Sequence, residues 1–376
     1  MTAFSLEPAQ LAWCAELRTL AVERLRPLAD KGEPGRVNRA LVAELGGLGL
    51  LGRLFTSGAL DLCLMRESLA YGCTEAETAL ALQGLGAHPV HAHGTASQRA
   101  RWLPRVADGT AVAAFALSEP GAGSDAAALA LRADGDGATG WRLTGQKCWI
   151  SNAPEADFYT VFARTAPGAG ARGVTAFLVP ADRPGLTGTG LDMLSPHPIG
   201  ALDFDAVPVT ADDVLGEVDR GFRVAMGTLN LFRPSVGAFA VGMARAALDA
   251  TLDHTVGRDA FGGKLKDLQV VSHQVAEMAL RTEAARLMVY AAATAYDDDA
   301  PDVPQRAAMA KLLATETAQH VVDTAVQLHG ARALQRGHLL EHLYREVRAP
   351  RVYEGASEVQ RGIIAKELYA AHEEAR

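Results

Sequence analysis

The spacing of hydrophobic residues divides the chain into three segments. Up to about residue 108 the pattern is helical: leucines recur every three or four positions between residues 41 and 51, and the glycines among them indicate a tight helix end. Two further helices are predicted over Leu62–Ala70 and Glu75–Gln83. We therefore expect an N-terminal helical domain over residues 1–109.

The pattern changes near Thr110 to short runs that favour strands. These runs are Val112–Leu117, Trp141–Leu143, Tyr159–Ala163, Val174–Val179 and Ala201–Phe204. Turn clusters at Asp134–Gly137 and Pro167–Gly170 separate some of them. Short strands at this spacing predict a small middle β-domain, a sandwich or barrel, over residues 110–216.

Beyond Gly221 the helical pattern returns. One apolar stripe with helical period runs from Leu268 to Val289, and long helices are predicted over Pro234–Val256 and Gln305–Leu328. The acidic segment Asp297–Pro304 reads as a loop. These features predict an antiparallel helical bundle over 217–376. The order of helices, strands and helices is α+β and excludes a doubly wound dinucleotide-binding fold.

Composition narrows the class of protein. The 376 residues are 49% hydrophobic and carry a formal net charge of −8, which gives no support to a nucleic-acid partner. The four cysteines show no C-x-x-C spacing, so a disulfide framework or a zinc site is not expected. The stretch Met1–Glu7 lacks a basic region before an apolar run, and no apolar run is long enough to span a membrane. We expect a soluble cytoplasmic protein.

Three histidines, His88, His91 and His93, raise the question of a metal site. Pro89 is expected to break the helix there, and no carboxylate or cysteine lies close in sequence. No metal is therefore expected, and the histidines are interpreted as surface or interdomain residues.

Two segments of the middle domain carry residue types suited to a ligand. Residues 116–125 run from a predicted strand into a Pro-Gly turn with small residues, where backbone N–H groups can approach an anion. Residues 147–152 place Trp149 beside Ser151 at a strand end. Taken singly, a tight turn and a buried tryptophan are the commoner explanations of these segments.

A third segment, residues 351–361, places a carboxylate directly before a glycine near the last helix. The glycine would let a substrate come close to the backbone beside Glu354, and Ser357 is a candidate helix cap. By itself, an acid that favours a helix N-terminus is the simpler explanation.

Together with one further motif, these segments resemble the acyl-CoA dehydrogenase family over nearly the whole chain. Ala116–Ala128 fits the first signature of the family, and Trp149–Asn152 is similar to its W-I-[TS]-N strand. Arg258–Gly262 resembles its R-x-x-F-G turn, and Tyr353–Gly355 followed by Gln360-Arg361 resembles its Y-E-G…Q-R segment. The resemblance implies an N-terminal helical domain, a middle β-domain and a C-terminal four-helix bundle.

The resemblance implies FAD as the cofactor. Leu117 and Ser118 would face the flavin ring, Trp149 would flank it, Ser151 would hydrogen-bond near flavin N5, and Ser124 would lie near the pyrophosphate and the pantetheine arm. The full set implied to bind the cofactor is Phe115, Leu117, Ser118, Ser124, Trp149, Ser151, Arg258, Phe261, Gln269, Gln327, Ala331, Ala356 and Glu358.

Several of these residues are implied to reach the FAD of a neighbouring subunit. They are Arg258, Phe261, Gln269 and the region of Gln327. Sharing of this kind implies a homodimer or a homotetramer.

The implied reaction is the α,β-dehydrogenation of an acyl thioester in fatty acid metabolism. Glu354 would take the α-proton, and flavin N5 would accept the β-hydride. Some family members carry the base near an Arg-Pro pair on an earlier helix, but Leu229–Pro234 contains no acid, which leaves Glu354. The residues implied to bind substrate are Ser124, Asn230, Arg233, Tyr353 and Gly355.

The chain departs from the family at several positions. Gln327–Leu334 has one glycine where three are usual, and Ala356 replaces a threonine, so FAD affinity is expected to fall by about 1 kcal/mol per lost hydrogen bond. Asn230 stands where many members have an aspartate, and Ser195–Gly200 lacks the arginine often found just before it. These departures leave an acyl carrier protein open as an alternative to CoA.

Three functions compete at this stage. The first is a dehydrogenase that passes electrons to an electron-transfer flavoprotein. The second is a flavin oxidase or monooxygenase on the same fold, although an intact base argues against it. The third is a non-catalytic scaffold, which the retention of Glu354, Trp149 and Ser118 disfavours.

Overall fold

The computed structural model describes residues 6–195 and 197–376, which form two compact units. Unit 1 combines Met1–Arg26, Gly58–Glu77 and Asn230–Arg376, and unit 2 combines Pro27–Ser57 and Thr78–Leu229. Most of the stretch Met1–Glu7, on which the expectation about a leader peptide rests, lies outside the described residues, and so does Pro196. The sequential boundaries at 109/110 and 216/217 stay a prediction.

Helices occupy both ends of the chain. The α-helices of the described residues are α1 (Pro8–Leu20), α2 (Arg26–Ala29), α3 (Arg39–Gly47), α4 (Leu50–Thr56), α5 (Ala59–Gly72), α6 (Thr74–His93), α7 (Ala96–Ala107), α8 (Gly221–Gly257), α9 (Gln269–Asp297), α10 (Val303–His329), α11 (Leu339–Glu346) and α12 (Ser357–Glu374). A π-helical turn joins α1 to α2. The glycines after residue 45 do end a helix, since α3 stops at Gly47. Gly49, with φ of 73°, is the N-cap that precedes α4.

Strands lie between the two helical regions. They are β1 (Ala113–Ala116), β2 (Arg132–Asp136), β3 (Gly140–Ser151), β4 (Phe158–Arg164), β5 (Val174–Pro180), β6 (Leu186–Gly190), β7 (Ile199–Val209), β8 (Asp259–Ala260) and β9 (Gly263–Lys264). The order of helices, sheet and helices confirms the predicted α+β fold class.

The main sheet runs in the order β1-β4-β2-β3-β7-β6, with β5 also paired to β4. β1 is parallel to β4, with Ala113 opposite Phe158, whereas β3 and β7 are antiparallel. The sequence pattern missed β2 and β6, because the glycine and aspartates of β2 are typical of turns and the glycines of β6 weaken its strand pattern. Pairing with β3 and β7 makes them strands nonetheless, since the backbone supplies the hydrogen bonds of a sheet whatever the side chains.

The core of unit 2 lies where its helices meet the sheet. The ring of Trp102 on α7 lies 4.6 Å from that of Phe158 on β4, centroid to centroid. Gln83, fully buried on α6, donates from Nε2 to the carbonyl of Ala111 at 2.7 Å and accepts from the N–H of Ala113 at 2.7 Å. This side chain ties α6 to the first residue of β1.

The predicted break at Pro89 is wrong, because α6 continues through it to His93. Ala87 and Val90 on either side belong to the buried core of unit 2, and their burial offsets the hydrogen bond that a proline removes. His88 and His91 are therefore helical neighbours, with ring centroids 6.0 Å apart. Among residues 6–195 and 197–376 no group of three or more His, Cys, Asp or Glu side chains is placed to hold a metal ion.

The helices of unit 1 approach closely through two glycines of α8. A Cβ on Gly237 would lie 2.7 Å from Val289 on α9, and one on Gly242 would lie 2.4 Å from the carbonyl oxygen of Glu67 on α5. Larger residues at these positions would force the helices apart. α8 also begins at Gly221 and passes through Pro234, so its predicted start at Pro234 is wrong.

None of the described helices is both long enough and apolar enough to cross a membrane.

Candidate active site

In unit 2 the end of β1 is held against an irregularity in β3. The N–H of Cys148 donates to the carbonyl of Ser118 at 3.0 Å, and the pairing of β3 with β7 shifts register between Lys147 and Ile150. Trp149, inside that bulge, has a left-handed backbone with φ of 57°. Its side chain is 49% exposed, so the explanation of a buried core tryptophan is wrong.

A buried ion pair fixes the loop that follows β1. Lys147, with no exposed surface, donates to the carbonyl of Leu117 at 2.9 Å and to the carboxylate of Glu119 at 2.8 Å. The same carboxylate accepts the N–H groups of Ala130 and Leu131 at 2.6 and 2.9 Å. Burial lowers the pKa of Lys147 to about 8, although Glu119 opposes the shift. The Leu117–Ser118 backbone is thereby held in one position.

The turn after β3 is fixed in a similar way. Asn152, also left-handed with φ of 65°, donates from Nδ2 to the carbonyl of Ala113 at 2.8 Å and from its N–H to the carbonyl of Pro198 at 2.7 Å. Ser151, the residue before Asn152, is partly buried. The structure thus joins the first part of the predicted segment 116–125 to the predicted segment 147–152 within unit 2.

Crowding by other atoms of the chain does not explain the glycines in the loop 119–125. A Cβ on Gly121 or Gly123 would meet no atom within 4 Å, and neither glycine has a left-handed backbone. Ser124 is exposed in the same loop, whereas Phe115 is partly buried and its ring lies 4.9 Å from that of Phe162. Small residues here leave room for a ligand to approach the backbone.

In unit 1 the predicted base lies on a strained turn. Glu354 has φ of 51° and Gly355 φ of 96°, and a side-chain-bearing residue adopts the left-handed region only where its surroundings hold it there. Gln360 Nε2 donates to both of their carbonyls, at 3.1 and 3.0 Å. Arg233 Nε donates to the Glu354 carbonyl at 3.3 Å, and Lys311 Nζ to that of Gly355 at 2.6 Å.

The Glu354 carboxylate is surrounded by cations but is incompletely hydrogen-bonded. Its Oε2 atom is out of contact with solvent and has no hydrogen-bond partner in the described residues, although the residue as a whole keeps some accessible surface. Burial raises its pKa, and the charges of Arg66, Lys311 and Arg233 oppose that rise. An unsatisfied buried oxygen on a raised-pKa carboxylate is suited to accept a proton from a ligand.

Arg66, on α5, is held by groups from two other helices. Its guanidinium forms a buried ion pair with Glu77 and donates to Ser235 Oγ at 2.7 Å. The Ser235 hydroxyl in turn donates to the carbonyl of Phe232 at 2.7 Å, so it faces Arg66 as an acceptor. Of the three cations, Arg66 opposes the rise in the pKa of Glu354 most strongly.

Of the residues predicted to bind substrate, unit 1 brings four together. Asn230 accepts from Arg233 Nη1 at 3.3 Å, and Arg233 contacts the turn that contains Tyr353, Glu354 and Gly355. Arg233 is buried, whereas Tyr353 is 37% exposed.

The other predicted cofactor residues of unit 1, apart from Ala356, are exposed. They are Arg258, Phe261, Gln269, Gln327, Ala331 and Glu358. Ala356 precedes α12 and supplies no side-chain cap, and the predicted cap at Ser357 is wrong. Ser357 is already helical, and its hydroxyl donates to Glu316 at 2.5 Å because that carboxylate lies across from it on α10.

Sequence analysis did not identify Arg66, Glu77, Lys147, Glu119 or Lys311. A signal existed for two of them: Arg66 follows Cys63-Leu64-Met65, and Lys311 lies in an alanine- and leucine-rich part of a predicted helix. A lone cation in such a stretch indicates a buried charge that needs a partner.

Comparison with known proteins identifies the family. The profile for the acyl-CoA dehydrogenase N-terminal domain matches residues 7–110, that for the middle domain residues 114–207 and that for the C-terminal domain residues 219–369. The chain is 37% identical over 369 residues to the mitochondrial short-chain specific acyl-CoA dehydrogenase of Bos taurus, covering 94% of this chain and 89% of the relative.

Solved structures agree. Butyryl-CoA dehydrogenase from Megasphaera elsdenii has a TM-score of 0.91 at 31% identity, covering 97% of this chain and 99% of that chain. PigA, solved with FAD and proline, has a TM-score of 0.90 at 26% identity over 97% of this chain and 98% of its own. The fold and these matches together define the class of the protein as an oxidoreductase. The chain belongs to the acyl-CoA dehydrogenase family.

Proposed function

We propose that this protein is an FAD-dependent acyl-CoA dehydrogenase in which Glu354 removes the α-proton of the acyl thioester. The observation that carries the proposal is the Glu354 carboxylate, buried at Oε2, without a partner for that oxygen, and held on a strained turn. An α-C–H of a thioester is a weak acid, so its base must be close, desolvated and of raised pKa. Glu354 meets the last two requirements.

The two joined segments of unit 2 suit a flavin. Trp149 offers a half-exposed aromatic surface, and Leu117 and Ser118 are fixed beside it by the bond from Cys148 and the Lys147–Glu119 pair. With Ser151 these residues would hold the ring, and the open loop around Ser124 would accommodate the phosphates. When bound, FAD supplies a two-electron acceptor for the hydride that leaves the β-carbon.

The reaction needs no further reactant at the acyl group, because an acceptor is named for both the proton and the hydride that leave it. Glu354 would take the α-proton, bound FAD would supply the acceptor for the β-hydride, and the saturated acyl thioester would become the trans-2-enoyl thioester. Burial favours the protonated form of Glu354 by raising its pKa, and the charges of Arg66, Lys311 and Arg233 favour the ionised form by opposing that rise.

The names of two relatives support short acyl groups on CoA as the first substrates to test. Those are the short-chain specific enzyme and butyryl-CoA dehydrogenase. Reduced protein would pass its electrons to an electron-transfer flavoprotein. The working protein would be a homodimer or homotetramer, which the 90% exposed Phe261 supports, because a large apolar side chain in water favours cover by a second subunit.

The proposal is tested by the visible spectrum of the purified protein under anaerobic conditions. Addition of butyryl-CoA should bleach the flavin bands in wild type, while Glu354→Gln should bind the ligand and bleach at least about 10³-fold more slowly, because it lacks the base. Undiminished bleaching by Glu354→Gln would refute the base assignment.

Two further outcomes separate the alternatives. Bleaching by a butyryl group on an acyl carrier protein, but not by butyryl-CoA, would mean that the thioester carrier is the acyl carrier protein rather than CoA. Rapid recolouring of the reduced protein in air, faster than with an electron-transfer flavoprotein, would favour an oxidase.

A further inference from the structure

Lys311 is a buried cation that contacts the turn of the base. It lies on α10 with no exposed surface, and its Nζ donates to the carbonyl of Gly355 at 2.6 Å. The group it contacts is a neutral peptide carbonyl rather than a carboxylate. A buried ammonium is costly, and burial lowers the pKa of Lys311 to about 8. Hydrogen bonding of one carbonyl does not need a charge, so the charge itself calls for an explanation.

The carbonyl of Gly355 does not depend on Lys311. Gln360, which is also fully buried, donates to it at 3.0 Å and to the carbonyl of Glu354 at 3.1 Å. Lys311 therefore adds a second donor to an acceptor that already has one. What it adds beyond Gln360 is a positive charge one residue from the carboxylate of Glu354.

Glu316, on the same helix, also ties down the same turn, but it is not among the charges that act directly on the pKa of Glu354. Its carboxylate accepts from Ser357 Oγ at 2.5 Å and pairs with Arg351 at 2.9 Å, so it holds the turn at both ends. The charges that act on the pKa of Glu354 belong to Arg66, Lys311 and Arg233. Glu316 thus supports the turn by its contacts, whereas Lys311 both contacts the turn and contributes a charge that acts on Glu354.

We propose that Lys311 is a positioning residue for Glu354, whose buried ammonium group holds the Glu354–Gly355 turn and brings a positive charge to the base. This rests on the proposed function of Glu354 as the base. The charged groups around the pair are Arg66 on α5, Arg233 on α8, Glu316 on α10 and Glu358 on α12. Glu354, Glu316 and Glu358 stabilise the protonated form of Lys311, and Arg233 opposes it.

The test follows the protonation of Glu354 directly in the FAD-loaded protein. The carboxyl band in an infrared pH titration is assigned by its absence in Glu354→Gln. In Lys311→Met the midpoint should rise by about one pH unit, the effect of one opposite charge nearby. Lys311→Gln, which keeps a donor but no charge, should show the same rise, and it serves if Lys311→Met does not fold. In the control Glu316→Gln the midpoint should stay at the wild-type pH.

Kinetics separate charge from position. The acidic limb of kcat/KM for butyryl-CoA should move up with the infrared midpoint in both Lys311 variants, a loss of about tenfold at pH values below the limb. Lys311→Met should also lose kcat at all pH values, because the turn is held less firmly. An unchanged midpoint in both Lys311 variants would overturn the proposal. If the infrared midpoint shifts as expected in the Lys311 variants but wild type shows no turnover, that result would instead count against the proposed function.

Discussion

At the scale of single residues, Glu354 combines two unfavourable features. Its backbone is left-handed, and its carboxylate oxygen Oε2 is buried without a partner. A group whose pKa is raised by burial binds more protons in the folded state than in the unfolded chain. Stability contributed by that residue therefore falls as pH rises from the ordinary glutamate range through the raised value.

Glu354→Gln should make the protein more stable at pH 8. Glutamine resembles the protonated acid at every pH, so the variant avoids the cost of the buried carboxylate, about 1.4 kcal/mol for each unit by which the pKa is raised. Thermal unfolding at pH 8 and near pH 4 measures the difference. The advantage should disappear near pH 4, where wild type is protonated as well. A variant less stable than wild type at pH 8 would show that the surrounding cations need the carboxylate more than burial disfavours it.

At the scale of secondary structure elements, the buried Lys147–Glu119 pair joins β3 to the loop after β1. Removing one member of a buried pair leaves the other as an uncompensated charge, which costs about 3–5 kcal/mol. Glu119 also accepts two backbone N–H groups, so an acceptor is still needed at that position after Lys147 is removed.

Lys147→Met should therefore lower the free energy of unfolding by about 3 kcal/mol, and it should weaken FAD binding because Leu117 loses its donor. The double variant Lys147→Met/Glu119→Gln should recover part of the stability, since the amide oxygen still accepts an N–H while the unpaired charge is gone. Chemical denaturation and FAD titration measure the two effects. A double variant no more stable than Lys147→Met would mean that the loss comes from packing rather than from charge.

At the scale of the whole molecule, the surface of unit 1 carries large apolar side chains. Phe261 is the extreme case, with 90% of its side chain exposed at the left-handed tip of the β8–β9 hairpin. The family resemblance implies that this hairpin reaches a neighbouring subunit, so its exposure in a single chain is expected.

Phe261→Ser should weaken self-association by at least tenfold, because a buried aromatic anchor typically contributes more than 1 kcal/mol to an interface. Analytical ultracentrifugation over a concentration series measures the change, and FAD affinity should fall with it. Leu11→Ser, at a 53% exposed position on α1, is the control for loss of any exposed apolar side chain. Equal behaviour of the two variants would exclude a specific contact at the hairpin.

Sequence pattern predicted long buried elements well and short polar ones poorly. The strands β4 and β5 were found almost to the residue, because each is a continuous apolar run. β2 was missed, and a helix end was wrongly expected at Pro89, because pairing with β3 and burial in the core outweighed the local preferences of aspartate, glycine and proline.

The sequence by itself determined the three-part order of elements and the family, and it predicted Glu354 as the base, because periodicity and short motifs are local properties of the chain. Only the tertiary structure decided what surrounds that base. Arg66, Arg233 and Lys311 come from three helices far apart in sequence, and their effect on a carboxylate depends on distance in space. Likewise, a bulge in β3 decided that Trp149 is exposed rather than buried, since strand register is set by the partner strand.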